Sequence, residues 1–169
     1  MKNKENLKYR MYGFVPYNIS PIQAGIQFGH AVVEYGLMAK DIPEIEEIYN
    51  EWANNDKTFI ILNGGTTNNN EDSEFYGTIN QYRDELINNG VLLAQFHEPD
   101  LGNQLTALVF LVDERVFDDE QYPDFSIELS FNLSTEALEH NHKMFVDSIG
   151  GQTNLFLREF LRSKKLANN

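Results

Sequence analysis

The sequence predicts an α/β fold: a three-layer α/β/α arrangement with a four-stranded mixed sheet and extra C-terminal helices. Three observations carry this. Short β-branched and aromatic runs alternate with longer segments of helical spacing over the first 112 residues. The last two runs are joined by a connection too short for a crossover, which makes them antiparallel neighbours. The composition is globular, with 169 residues, 41% hydrophobic and 23% charged. No internal repeat and no Pro-, Gly- or Ser-rich linker divides the sequence, so residues 1–169 are expected to form one domain.

Tyr9–Pro16 reads as the first strand. Ser20, Pro21 and Gln23 then supply an N-cap, a first-turn proline and the third-position partner of a capping box, opening a helix that should run to about Lys40. Pro43 opens a second, acidic helix through about Trp52. Lys57–Leu62 has the length and residue types of a buried strand. Asn63–Asp72 is a polar loop in which Gly64–Thr67 offers two readings, an anion nest or a flexible surface loop, and the Asn-rich continuation favours the second. Phe75–Asn89 shows helical spacing and stops at Gly90, a C′ glycine. Val91–Phe96 and Gln104–Val112 are the third and fourth strands, with a turn between them. A helix should start near Ser134, and Gln152–Leu166 should form an amphipathic last one, packing on its own sheet or on another subunit.

Charge limits the partners. Thirteen Lys and Arg stand against 26 Asp and Glu, a net charge of −13. The positives gather at residues 2–10 and 158–165, each netting +3, so the body between nets −19. Long nucleic acids are held by Lys and Arg on phosphates, so an extended interface is disfavoured unless the two basic ends converge. Acidic membrane surfaces are disfavoured likewise. There is no cysteine, and hence no disulfide, thiolate metal site or cysteine nucleophile. No apolar run approaches the ~20 residues of a membrane span, and MKNKENLKYR leads into no signal-peptide core, which points to the cytoplasm. No His–Glu cluster has zinc spacing, and His140 and His142 point to different faces of their helix, so neither a metal nor a cofactor is expected.

The first helix carries Ile22, Ile26, Val33 and Leu37 with Ala24, Phe28, Ala31, Val32 and Tyr35 around most of its circumference, and a helix of that kind is expected to be mostly buried. Set into it is a polar line of Gln23, Gln27, His30 and Glu34 at spacings of four, three and four. The line is either the solvent face, with Gln23 as a capping residue, or the wall of a cleft at the strand-to-helix junction. His97, beside Glu98 on the hairpin, is either a site residue or an exposed strand end.

A first strand, a short turn and a helix bearing Gln27-Phe28-Gly29-His30-Ala31, followed by the hairpin FHEPDLGNQLTALVFLV at 96–112, resembles the type 2 peptidyl-tRNA hydrolases of archaea and eukaryotes. The resemblance covers 9–112 and leaves 113–169 as a C-terminal helical extension. It implies that family's fold and an active site at Gln27, His30, the acidic position Glu98 and the strand residue Thr106. The chain departs from the family at Gln23, where the family has lysine, at Glu98, where it has aspartate, and in a shorter hairpin loop where Asp100 stands as a substitute acid. A lysine near a scissile ester stabilises developing negative charge, whereas glutamine offers only a neutral donor.

The resulting expectation is a metal-independent hydrolase acting on a nucleotide-containing ester or phosphodiester, with a small nucleotide favoured over a whole tRNA. His30, Glu98 and Asp100 are the candidate catalytic groups, and Tyr17, Gln23, Gln27, Glu34, His97 and Thr106 the candidate ligand contacts. Two alternatives stand beside it. One is a non-catalytic homo-oligomer, a dimer, that sequesters a nucleotide signal, in the style of a virus-encoded decoy. The other is authentic peptidyl-tRNA hydrolase activity, with the two basic ends gathered into one patch.

Overall fold

The structure is a computed structural model, and it describes residues 7–126 and 134–167. Lys2 and Lys4, part of the N-terminal basic group, lie outside the described residues. The chain is α/β, with a four-stranded mixed sheet and, among the described residues, six α-helices: β1 (Tyr9–Val15), α1 (Pro21–Ala39), α2 (Pro43–Glu51), β2 (Phe59–Asn63), α3 (Thr78–Asn88), β3 (Ala94–Glu98), β4 (Gln104–Asp113), α4 (Glu114–Phe117), α5 (Thr135–Ser148) and α6 (Gln152–Arg162). The strand order is β2-β1-β4-β3, with β1 and β2 parallel and β3 and β4 antiparallel. No helix among the described residues is long and apolar enough to cross a membrane. Two compact units are formed, Met1–Val112 with Lys164–Asn169, and Asp113–Ser163.

The first unit contains the sheet. Alternation along β1 sends Met11, Gly13 and Val15 toward α1 and Phe14 to the opposite face, where its ring meets Tyr82 of α3. Helices therefore cover both faces. The approach of α1 is close: a Cβ on Gly13 would lie 2.7 Å from the Phe28 ring and collide with the Leu108 carbonyl. Ser20 caps α1 as expected, its hydroxyl accepting from Gln23 N–H while the Gln23 side-chain oxygen accepts from Ser20 N–H. At the end of α3, Gly90 N–H donates to Ile87 O and Val91 N–H to Leu86 O, with Gly90 at φ 75°. This Schellman closure consumes Val91, so β3 begins three residues later than expected, at Ala94.

Two further expectations are corrected. The last helix stops at Arg162, and the following residues return along β2 through Asn63 N–H to Lys165 O and Ala167 N–H to Ile61 O, both 2.9 Å. The large aliphatic residues of α1 are not buried. Ile22, Ile26, Val33 and Leu37 are between 52% and 78% exposed, while the face on the sheet is built from Ala24, Gln27, Phe28, Ala31 and Tyr35.

The second unit is held by Arg158, itself buried. Its guanidinium donates to Arg115 O and Tyr122 O and pairs with Asp119 and Asp124 at 2.8 and 3.0 Å. Arg162 also pairs with Asp124.

Candidate functional site

The polar line on α1 meets the β3–β4 hairpin. Gln27, buried by its neighbours, donates from Nε2 to Glu98 Oε2 at 2.5 Å and accepts at Oε1 from the Thr106 hydroxyl at 2.6 Å. One side-chain amide thus joins an acid at the end of β3 to a fully buried threonine on β4. One turn further along α1, His30 stacks on Phe96 with ring centroids 4.4 Å apart and planes 19° apart. Gln27 meets Glu98 while His30 meets Phe96, so β3 runs antiparallel to α1 and the hairpin turn lies beside the first turns of that helix.

Thr106 reaches Gln27 because the β3–β4 ladder shifts register. Phe96 pairs with Ala107 and His97 with Leu105, which leaves Thr106 as the extra residue of a bulge. Thr106 and Ala107 therefore both turn toward α1. The same hydroxyl lies 3.4 Å from Phe96 O, where the ladder is interrupted.

The hairpin turn is pinned from the other side by the Asn-rich loop, for which the sequence favours a flexible surface segment over an anion nest. Asn69 donates to Asn103 O at 2.7 Å and accepts from Leu105 N–H, and its backbone N–H donates to the Gln104 side chain. Fully buried Asn80 of α3 donates to Asn69 Oδ1 and accepts from Asn68 N–H. Thr67 donates to Leu105 O. Thr66 caps α3 by accepting from Thr78 N–H at its hydroxyl and from Ile79 N–H at its carbonyl. Gly64–Thr67 is therefore a helix cap and a strut. Asn69 and Asn80 are not among the sequence candidates, and Phe96 appears there only as the first residue of the hairpin; the run of asparagines favours a flexible loop on sequence grounds and instead supplies the side chains that pin the turn.

The remaining candidates are placed as follows. Gln23 is the capping residue of α1, with its amide oxygen committed to Ser20. Its exposure leaves the capping role as the reading that the geometry carries. Glu34 is exposed further along α1. His97 is half-buried, with Nδ1 3.0 Å from Asn103 O. Asp100 is exposed in the Pro99–Leu101 turn, and its N–H approaches Glu98 Oε1 at 3.5 Å. Tyr17, 65% exposed, lines a cavity of about 230 Å³ with Val15, Pro16, Ile19, Ala24 and Asn63, at the ends of β1 and β2. The structure thus brings Gln27, Glu98 and Thr106 together, sets His30 beside them on Phe96, and gives Tyr17 a separate place.

The electrostatics of this edge are acidic. Glu98 and Asp100 are its charged groups, and both neighbouring helix starts are closed, α1 by its capping box and α3 by Thr66. Two basic residues of the first unit, one from each end of the sequence, lie apart. Lys8 pairs with Glu51 at the start of β1, while Lys165 lies beside Asn63 at the end of β2. Parallel register places those two points roughly 20 Å apart along the strands. Among the described residues no group of three or more His, Asp or Glu is placed to hold a metal ion. No family model matches the chain, and no curated protein matches it.

Proposed function

We propose that the chain is a non-catalytic α/β binding protein that holds a small nucleotide against the β3–β4 edge, with the base read by the Glu98 carboxylate. The observation that carries this reading is the commitment of the Gln27 amide at both ends. Nε2 donates to one Glu98 oxygen, Oε1 accepts a hydrogen bond from the Thr106 hydroxyl, and the second Glu98 oxygen keeps acceptor capacity. A carboxylate held in this way accepts N–H groups from the edge of a base, and the His30–Phe96 stack beside it offers a flat surface. Hydrolysis asks for more: a base free to take a proton from water and donors free to receive developing negative charge. Here Gln27 Nε2 and the Thr106 hydroxyl, the donors within the Gln27–Glu98–Thr106 group, are already committed.

The test is calorimetric titration with guanosine, adenosine and cytidine monophosphates, with the ligand recovered afterward by chromatography. Binding of one base over the others, with intact recovery, is the expected result. Glu98→Gln should weaken it about 10- to 100-fold, the span of one or two hydrogen bonds to a charged acceptor. Equal binding by Glu98→Gln removes the assignment.

The second reading is a hydrolase of the type 2 peptidyl-tRNA-hydrolase-like fold acting on a nucleotide ester. It is favoured by one observation: Gln27 is hydrogen-bonded to both Glu98 and Thr106, three of the four positions named by the resemblance. Cleaved ligand in the same experiment, lost in Glu98→Gln, selects it.

A further inference from the structure

The outward face of α1 is apolar where a solvent-facing helix is normally charged. Ile22, Ile26, Val33 and Leu37 are 78%, 52%, 60% and 52% exposed, and the 21–39 segment contains no Lys or Arg and one carboxylate, Glu34. Gly25 and Gly29 lie beside these residues, and a Cβ on either would meet nothing within 4 Å. The four aliphatic side chains expose on the order of 400 Å², the size at which a contiguous apolar patch marks an interaction surface.

We propose that this face binds the same face of a second copy, with the two α1 helices antiparallel about a two-fold axis near Gly29 and His30. Three features select a second copy. A two-fold contact requires a surface that complements itself. The aliphatic spacing of four, seven and four residues reads the same in both directions, so reversal sets Ile22 on the partner's Leu37 and Ile26 on the partner's Val33. Charge agrees with this. Two chains of net charge −13 repel across most of their surfaces, and this uncharged strip is where they meet at least cost. At its margin Glu34 falls within one turn of the partner's Gln23, whose amide oxygen is held by its own Ser20. Area sets the strength. The aliphatic strip supplies about half of the ~800 Å² per partner of a standard interface. The glycines allow close approach and the flanking residues add the rest, giving a small interface and a concentration-dependent dimer.

The test is sedimentation equilibrium on the full chain across concentration and salt. The expected result is a mass rising from 19.5 kDa toward twice that value on concentration. Added salt should raise the dimer fraction by screening the repulsion. Ile26→Lys and Val33→Glu, both at exposed positions, should each remain monomeric with an unchanged melting temperature. Mixing the two variants should restore a heterodimer through the Lys–Glu pair that antiparallel pairing creates. A wild-type chain that stays at 19.5 kDa up to roughly 1 mM overturns the proposal, as does a dimer that survives either substitution. Absence of the heterodimer where wild type dimerises overturns the antiparallel register.

Discussion

Thr106→Val is the substitution that most directly probes the joint between α1 and the hairpin. Valine keeps the shape of threonine and removes one hydroxyl, at a position with no solvent exposure. That hydroxyl donates to Gln27 Oε1 at 2.6 Å, and Gln27 is itself buried, so water cannot replace the lost donor. An acceptor left unsatisfied in such a place costs about 1–3 kcal/mol. Taking ~2 kcal/mol, the melting temperature falls by roughly 4–8 °C for a chain of this size. Gln27→Met keeps the volume and removes both hydrogen bonds. It should cost less per bond lost, because half-exposed Glu98 can turn to water and the Thr106 hydroxyl still has Phe96 O within 3.4 Å. In the Gln27→Met background Thr106→Val no longer orphans an acceptor, so urea unfolding of the two single variants and the double should give a coupling of about 1–2 kcal/mol. A coupling below about 0.5 kcal/mol would refute the reasoning, since the two side chains would then not depend on one another.

Gly13→Ala should destabilise by about 1–3 kcal/mol, because the added methyl meets the Leu108 carbonyl, Phe28 and Val109 at once; urea unfolding reads this directly. Gly29→Ala should do the reverse and raise the melting temperature of the dilute protein by roughly 2–4 °C, since the methyl enters open space and helix propensity improves by about 1 kcal/mol. Asn69→Ala should cost about 2 kcal/mol and speed amide exchange at Leu105, whose N–H loses its bond to Asn69 Oδ1, as hydrogen-exchange spectra would reveal. Tyr35 is pushed up to about 12 by burial, against a hydrogen bond with the Leu111 backbone that lowers it. From about pH 10 to about pH 12 the folded chain then keeps a proton that the unfolded chain has lost, so stability falls as pH rises through that window. Tyr35→Phe should flatten this fall in alkaline unfolding curves.

Much of the fold was legible because its signals are local. The capping box at Ser20 and the glycine stop at Gly90 are chemical statements within four or five residues, and α1 begins and α3 ends where those residues place them. The return of residues 164–167 along β2 was not legible. The apolar spacing of the last helix continues to Leu166, and pairing to a strand edge is made by backbone groups that leave no mark on side-chain pattern. The inversion of α1 was missed for a different reason. The absence of a side chain at Gly13 admits the Phe28 ring, and the buried face is filled by Phe28 and Tyr35 with Ala24 and Ala31, which leaves the branched aliphatics outside. Hydrophobicity says that a residue seeks cover, but it does not say that its own core provides it.

The site shows how far strand periodicity reaches. Strict alternation along β4 groups Leu105, Ala107, Val109 and Leu111 on one face and Thr106, Leu108, Phe110 and Val112 on the other, which would aim Thr106 away from α1. The register shift opposite Phe96 and His97 breaks that parity and brings Thr106 beside Ala107 on the α1 side. A bulge gives up ladder pairing, and here the loss is offset by the residue it releases: the Thr106 hydroxyl supplies the partner that buried Gln27 needs and approaches the Phe96 carbonyl at the break. With Thr106 on the far face, Gln27 Oε1 would be buried without that donor, and the amide would have no fixed orientation from which to hold Glu98. The single extra residue in β4 is therefore what couples the hairpin acid to the first helix, and a variant that deletes it should lose the Gln27–Glu98 pairing even where the sheet survives.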